Sequence, residues 1–260
     1  MDFSILATWD GVVYFLILSL LEIVLGIDNI IFISIATGKL PAESRKKATK
    51  IGMFLAMFMR IALLLGISYL IAMKEPWFTL DFSWLSAQIS GQSIILLLGG
   101  LFLIYKSTNE IREKVDEKGQ EEKELGKVAT KSFSSVLLQI ILIDLVFSFD
   151  SILTAVGMTN GVQGALYIMI TAVVISVLIM MQFAVPVGSF VNKHPSIQIL
   201  GLSFLILIGF MLITESAHLS NALIFGSHVT AVPKGYLYFA ISFSLMVEVL
   251  NMKVSKKNKK

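Results

Sequence analysis

Residues 20–34 read LLEIVLGIDNIIFIS, and eleven of the fifteen are apolar or glycine. Glu22, Asp28 and Asn29 stand among them. With its flanks the run is long enough to cross a bilayer, and a carboxylate inside such a span is costly. One stretch therefore poses the fold and the function together: a membrane helix that keeps two carboxylates and an amide.

The rest of the chain agrees with a membrane reading. Of its 260 residues 56% are hydrophobic and 15% charged, against about 25% charged in a globular domain. A water-soluble fold cannot cover that much apolar surface. There is no cysteine, which excludes disulfides, thiolate metal sites and a Cys nucleophile. The basic residues behind the net charge of +3 lie in short loops and a tail beside apolar spans, so no nucleic-acid surface is expected. The N-terminus, MDFSILATWDG, lacks the basic region of a secretory signal and is expected to start the mature protein.

Seven apolar segments approach or exceed the roughly 20 residues needed to span. They cover about 12–36, 51–73, 89–107, 133–157, 164–188, 195–215 and 234–252. Loop 37–50 carries five Lys or Arg, loop 106–132 seven, and the tail five, while the alternate connections carry almost none. The positive-inside rule then sets the N-terminus outside and the C-terminus inside, as an odd number of spans requires. Trp9, Trp77 and Trp84 fall where an outer interfacial belt would place them.

The opening stretch has a partner. EIVLGIDNII (22–31) aligns without gaps on DLVFSFDSIL (144–153), at an offset of 122. Glu22 matches Asp144, Asp28 matches Asp150, and Asn29 matches Ser151. The segments 93–110 and 196–215 are similar more loosely. The predicted architecture is an all-α polytopic membrane protein of seven transmembrane helices, built as a 3+3 inverted repeat plus one C-terminal helix. A single membrane domain over 1–260 contains repeat 1 (about 12–107), a charged cytoplasmic linker (108–132), repeat 2 (about 133–215), the last span and a basic tail (253–260). Inverted repeats with polar helices at their interface are typical of secondary transporters.

Glu22 and Asp144 lie near mid-span, with Asp28 and Asp150 about 9 Å further along at 1.5 Å per residue. Their candidate role is to line an ion path. The ligand set is Glu22, Asp28, Asn29, Asp144, Asp150 and Ser151, with Ser148, Gln139 and Thr154 behind them. It offers only oxygen, which suits hard cations such as Mg²⁺, Ca²⁺ and Mn²⁺. An acid and an Asp six residues apart do not share a face of a regular helix, so a local break at Gly26 and Ser148 is expected. The opposing reading makes the acids structural glue, and Arg60, at the depth of Asp28, is its natural partner. The His residues lie in loops without metal-pair spacing.

These motifs, together with LLLGGLFLIYKS, HPSI (194–197) and PKGYLYFAISFSLMVEVLN, resemble the TerC family of bacterial integral membrane proteins over roughly 10–252. The resemblance implies an inner-membrane protein of a lysine-exporter-like superfamily, linked to manganese efflux and, by name, to tellurium resistance. Carried across by position, the metal-binding acids are Asp28 and Asp150, then Glu22 and Asp144. The expected partners are a divalent metal ion and the lipid bilayer, with linker 108–132 as a contact for a protein partner. No catalytic residue and no resident cofactor are expected. Two other readings compete: a non-transporting scaffold, and an intramembrane aspartyl protease, against which the contexts LGIDN and SFDSI argue.

Overall fold

The computed structural model describes residues 5, 8–120, 132–159 and 161–257, and of these the side chains of 27, 28, 117–120 and 255–257 lie outside the description. The chain is predominantly helical: α1 (Trp9–Gly38), α2 (Ala42–Leu65), α3 (Ile67–Ala72), α4 (Gly91–Gln120), α5 (Phe133–Met158), α6 (Ala165–Lys193), α7 (Pro195–Leu219) and α8 (Lys234–Lys257). Seven of these helices are long and apolar enough to cross a membrane: α1, α2 and α4 to α8. Each expected span is present.

Local chemistry sets the helix ends. At the start of α1 the Thr8 hydroxyl accepts the Gly11 N–H at 3.1 Å, satisfying one of the orphan donors of the first turn. Pro41 ends the connection after α1, and α2 starts directly behind it, with Glu43 in its first turn. The helix-prone AESRKKATK segment, read in sequence as loop, is thus the first part of α2. Likewise α4 runs on through the charged segment to Gln120; linker residues 121–131 lie outside the described residues. Gly66 separates α2 from α3, its N–H donating to Ala62 O at 2.9 Å.

The expected break in the first span is corrected: α1 is continuous helix through 22–31, and α5 is continuous through 144–153. Gly26 serves a close approach instead. A Cβ there would stand 2.1 Å from Met180 Sδ of α6. The all-α expectation also needs one addition, a small antiparallel sheet of β1 (Pro76–Phe82), β2 (Leu85–Ser90), β3 (Leu223–Ile224) and β4 (Ser227–His228). β1 and β2 form a hairpin with Phe82 opposite Leu85, and Leu85 pairs onward with Ile224. Phe225 and Gly226 turn β3 into β4 with positive φ at both (50° and 78°), as a two-residue hairpin loop demands. Trp84 stands beside Phe82 and Phe225, with ring centroids 6.5 and 6.3 Å away.

The chain divides into two compact units that interleave along the sequence: 1–72 with 127–192, and 73–126 with 193–260. The first holds α1, α2, α3, α5 and α6. There α2 lies against α5, and α1 packs on both. α6 buries one stripe, including Met169, Val173, Val177, Met180, Ala184 and Val191, at the three- and four-residue spacing of one helical face. The second unit holds the sheet, α4, α7 and α8, with α4 against α7 and α8 on α7. Each sequence half thus places its first two spans in one unit and its third in the other.

In the second unit α4 and α7 run antiparallel in close contact. A Cβ on Gly100 would stand 2.6 Å from Gly209 O, and a Cβ on Gly209 would stand 2.8 Å from Gly100 O. The Ser216 hydroxyl donates to Ser93 O at 2.6 Å across the same pair. Small residues at both positions let the backbones meet, the usual means of helix contact where lipid gives little hydrophobic drive.

Candidate functional site

The site forms where α1, α2 and α5 cross in the first unit. Arg60 of α2 lies between Glu22 of α1 and Asp144 of α5. Its Nη1 donates to Glu22 Oε2 at 2.5 Å. Its Nη2 and Nε donate to Asp144 Oδ1 at 2.6 Å and Oδ2 at 3.2 Å. The fork on Asp144 is the bidentate geometry that favours arginine over lysine. All three side chains are buried, each about 4% exposed.

Neighbours complete the cluster. Asn29 Nδ2 donates to Asp144 Oδ1 at 3.1 Å, and the Ser148 hydroxyl donates to Asp144 Oδ2 at 3.0 Å. The Ser151 hydroxyl donates to Ser148 O at 3.2 Å and stands near Glu22. The contacts Asn29–Asp144 and Glu22–Ser151 are mates under the repeat: the offset of 122 carries Glu22 onto Asp144 and Asn29 onto Ser151. α1 and α5 therefore cross at equivalent points of their two motifs. Arg60 has no charged mate: the two cavity linings match Met53 and Ala56 of α2 with Met169 and Ala172 of α6, and that offset carries Arg60 onto Ser176, a buried serine.

The charges are unequal, with two carboxylates facing one guanidinium. Burying ions is expensive unless they are paired and hydrogen-bonded. Asp144 meets that condition with four donor contacts, whereas Glu22 has fewer.

Two small cavities flank the cluster along α1. One, of about 20 Å³, is lined by Asn29, Asp144, Arg60, Gly26, Met53 and Met180 among others. That is room for about one water molecule. The other, of about 10 Å³, is lined by Glu22, Leu18, Leu64, Ile152, Met169 and Val173 among others. The repeat relates these as well: Ile30 and Asp144 line the first, and their mates Ile152 and Glu22 line the second. Asn29, which lines the first cavity, has its Oδ1 buried without a hydrogen-bond partner among the described residues.

The six residues expected to bind metal do not all converge. Glu22, Asn29, Asp144 and Ser151 come together. Asp150, half-buried, lies about 120° around α5 from Asp144 at 3.6 residues per turn; its backbone carbonyl accepts from Thr154 Oγ1 at 3.0 Å. The side chain of Asp28 lies outside the described residues. Among the described residues no three Asp, Glu or His side chains gather as a metal-holding group. Arg60 was expected opposite Asp28; its described partners are Glu22 and Asp144. A span arginine and two span acids were the signal, but linear depth could not choose between partners on different helices. Ser148 donates its hydroxyl to Asp144, and Gln139 Nε2 is buried without a hydrogen-bond partner among the described residues.

Comparison with known proteins agrees with the resemblance read from the motifs. The profile described as Integral membrane protein TerC family matches residues 7–260. The UPF0053 inner membrane protein YgdQ of Escherichia coli (strain K12) is 48% identical over 241 residues, covering 93% of this chain and 92% of its own. A UPF0053 protein of Haemophilus influenzae is 44% identical, covering 91% of each chain. The UPF0053 inner membrane protein YoaE of Escherichia coli is 43% identical over 94% of this chain but only 42% of its own length. No solved structure matches. The chain belongs to the TerC family of integral membrane proteins.

Proposed function

We propose that this protein moves a divalent cation across the bacterial inner membrane, with Mn²⁺ as the first cargo and export as the direction. The observation that carries the reading is the buried Glu22–Arg60–Asp144 cluster, in which each repeat of the acid motif supplies one carboxylate. Two acids against one guanidinium leave a place for a further positive charge, a proton or a metal ion. Exchange of one for the other at a buried carboxylate is a natural coupling. The oxygen-only ligand set favours Mn²⁺, Mg²⁺ or Ca²⁺ over softer metals. The relatives named as inner membrane proteins support the location. The pairing of α1 with α5 and of α4 with α7 is what an inverted 3+3 repeat would produce, and the small cavities fit an occluded state of such a carrier. Asp28 and Asp150, six residues beyond the paired acids, would extend the path. We assign linker 108–132 to contact with a protein partner, and we assign no enzymatic step to the chain.

One observation favours the opposing reading, in which the acids only hold helices together. Arg60 already pairs with both Glu22 and Asp144. The deciding measurement is total cell manganese under manganese load, in a strain lacking its exporters. The strain carries wild type or an Asp28→Asn, Asp150→Asn double variant at equal membrane level. Manganese lowered by wild type alone supports export through these acids. Manganese equally high in both removes manganese export and leaves other hard cations or the glue reading; manganese lowered equally by both keeps export and takes these two acids out of its path.

A further inference from the structure

We propose that Arg60 is a resident cation occupying the cargo position, and that a cation from solution binds by taking Asp144 from its guanidinium. The inference deepens the transport reading and names the residue that keeps the site closed.

Three observations converge on it. First, the guanidinium sits between Glu22 and Asp144, where a cation bridging the two repeat-mated acids would sit. Second, Asn29 Oδ1, on a side chain 7% exposed, is a buried acceptor with no partner, and Asn29 lines the 20 Å³ cavity with Asp144 and Arg60. Its amide orientation follows from the neighbour: Nδ2 donates to Asp144 Oδ1, so the oxygen is left over. A buried acceptor left this way lacks a cation or a donor such as water. Third, the contacts of Arg60 are divided. One nitrogen holds Glu22 and two hold Asp144, so the guanidinium can release Asp144 while Glu22 still balances its charge.

Binding would then proceed as an exchange of partners. A small hard cation in the Asn29 cavity takes Asn29 Oδ1 and Asp144 oxygens as ligands, and Arg60 withdraws onto Glu22. Return of Arg60 to Asp144 expels the cation. Since the position equivalent to Arg60 on α6 is the uncharged Ser176, this competitor acts from one side of an otherwise paired arrangement.

The test uses full-length protein purified in detergent, with Mn²⁺, Mg²⁺ and Ca²⁺ each added to metal-free samples. Unfolding temperature and Mn²⁺ affinity are measured for wild type, Arg60→Gln and Arg60→Lys. Removing the guanidinium leaves two carboxylates without their cation. Arg60→Gln is therefore less stable than wild type without metal, regains unfolding temperature with divalent cation more than wild type does, and binds Mn²⁺ about tenfold tighter or more. Arg60→Lys keeps the charge but cannot fork both acids; it folds and gains from cation by an intermediate amount, and it decides the matter if Arg60→Gln does not fold. Adding Asn29→Ala to either variant reduces the gain. A cation-dependent gain no larger than wild type's in the folded variants overturns the proposal. Mn²⁺ uptake into proteoliposomes of wild type reads the transport proposal separately. Flux with no gain on Arg60 substitution sinks only the resident-cation role, and a gain without flux sinks only transport.

Discussion

Two antiparallel helix crossings hold the two units of this molecule, and they are made of opposite materials. α4 and α7 meet through Gly100 and Gly209, carbonyl against bare Cα, with a serine hydrogen bond beside them. α1 and α5 meet through Glu22, Asn29, Asp144 and Ser151, bound by an arginine from α2. The first crossing closes by shape where its two glycines meet; its charged groups, Lys114 on Gln198 and Lys106 beside the buried Glu110, lie a few turns away at one end. The second places three ionisable side chains where apolar ones would pack at less cost. A crossing built only for stability would resemble the first. The second therefore points to a demand other than stability.

The sharpest way to break this contrast is at Arg60. Arg60→Leu leaves Glu22 and Asp144 buried with no cation, and loss of one partner from a buried ion pair costs about 3–5 kcal/mol. Replacing all three members together, as Glu22→Leu, Arg60→Met and Asp144→Leu, removes the charges instead of stranding them. Such replacements are often neutral or stabilising. Chemical unfolding in detergent should thus rank the triple variant above the Arg60→Leu single variant and near wild type, with cation flux absent from the triple. A triple variant that still transports would assign the flux elsewhere; one as unstable as the single would show the triad to be structural glue.

The spans and the two aligned acid motifs were legible because hydropathy and a gapless offset are properties of the chain alone. Three features were not. The pairing of Arg60 with Glu22 and Asp144 depends on how α2 lies against α1 and α5, and residues 38 and 84 positions apart meet there. The break expected near Gly26 does not occur, because the glycine answers to Met180 on another helix. The hairpin in 76–90 did carry a signal, the aromatic-rich PWFTLDF, but a connection read for its charge was not read for its strands. Sequence thus located the costly residues and left their partners open.

The same one-methyl change tests the two crossings side by side. At Gly100 an added Cβ meets a backbone carbonyl at 2.6 Å. A carbonyl cannot rotate away, so the helices must separate, and overpacking of this kind costs about 1–3 kcal/mol. At Gly26 the Cβ meets the end of a methionine. A thioether with three rotatable bonds moves aside easily, and alanine is itself the better helix former by about 0.5–1 kcal/mol. Gly26→Ala should therefore change stability little, while Gly100→Ala lowers it measurably. Their effects on transport should run the other way. Gly26 and Met180 both line the cavity beside Asp144, and a methyl plus a displaced thioether would fill a space of about 20 Å³. Cation flux per folded molecule should fall in Gly26→Ala and hold in Gly100→Ala. If instead flux fell equally in both, the α4–α7 crossing would have to take part in the cation path, and its glycine contact would no longer be packing alone.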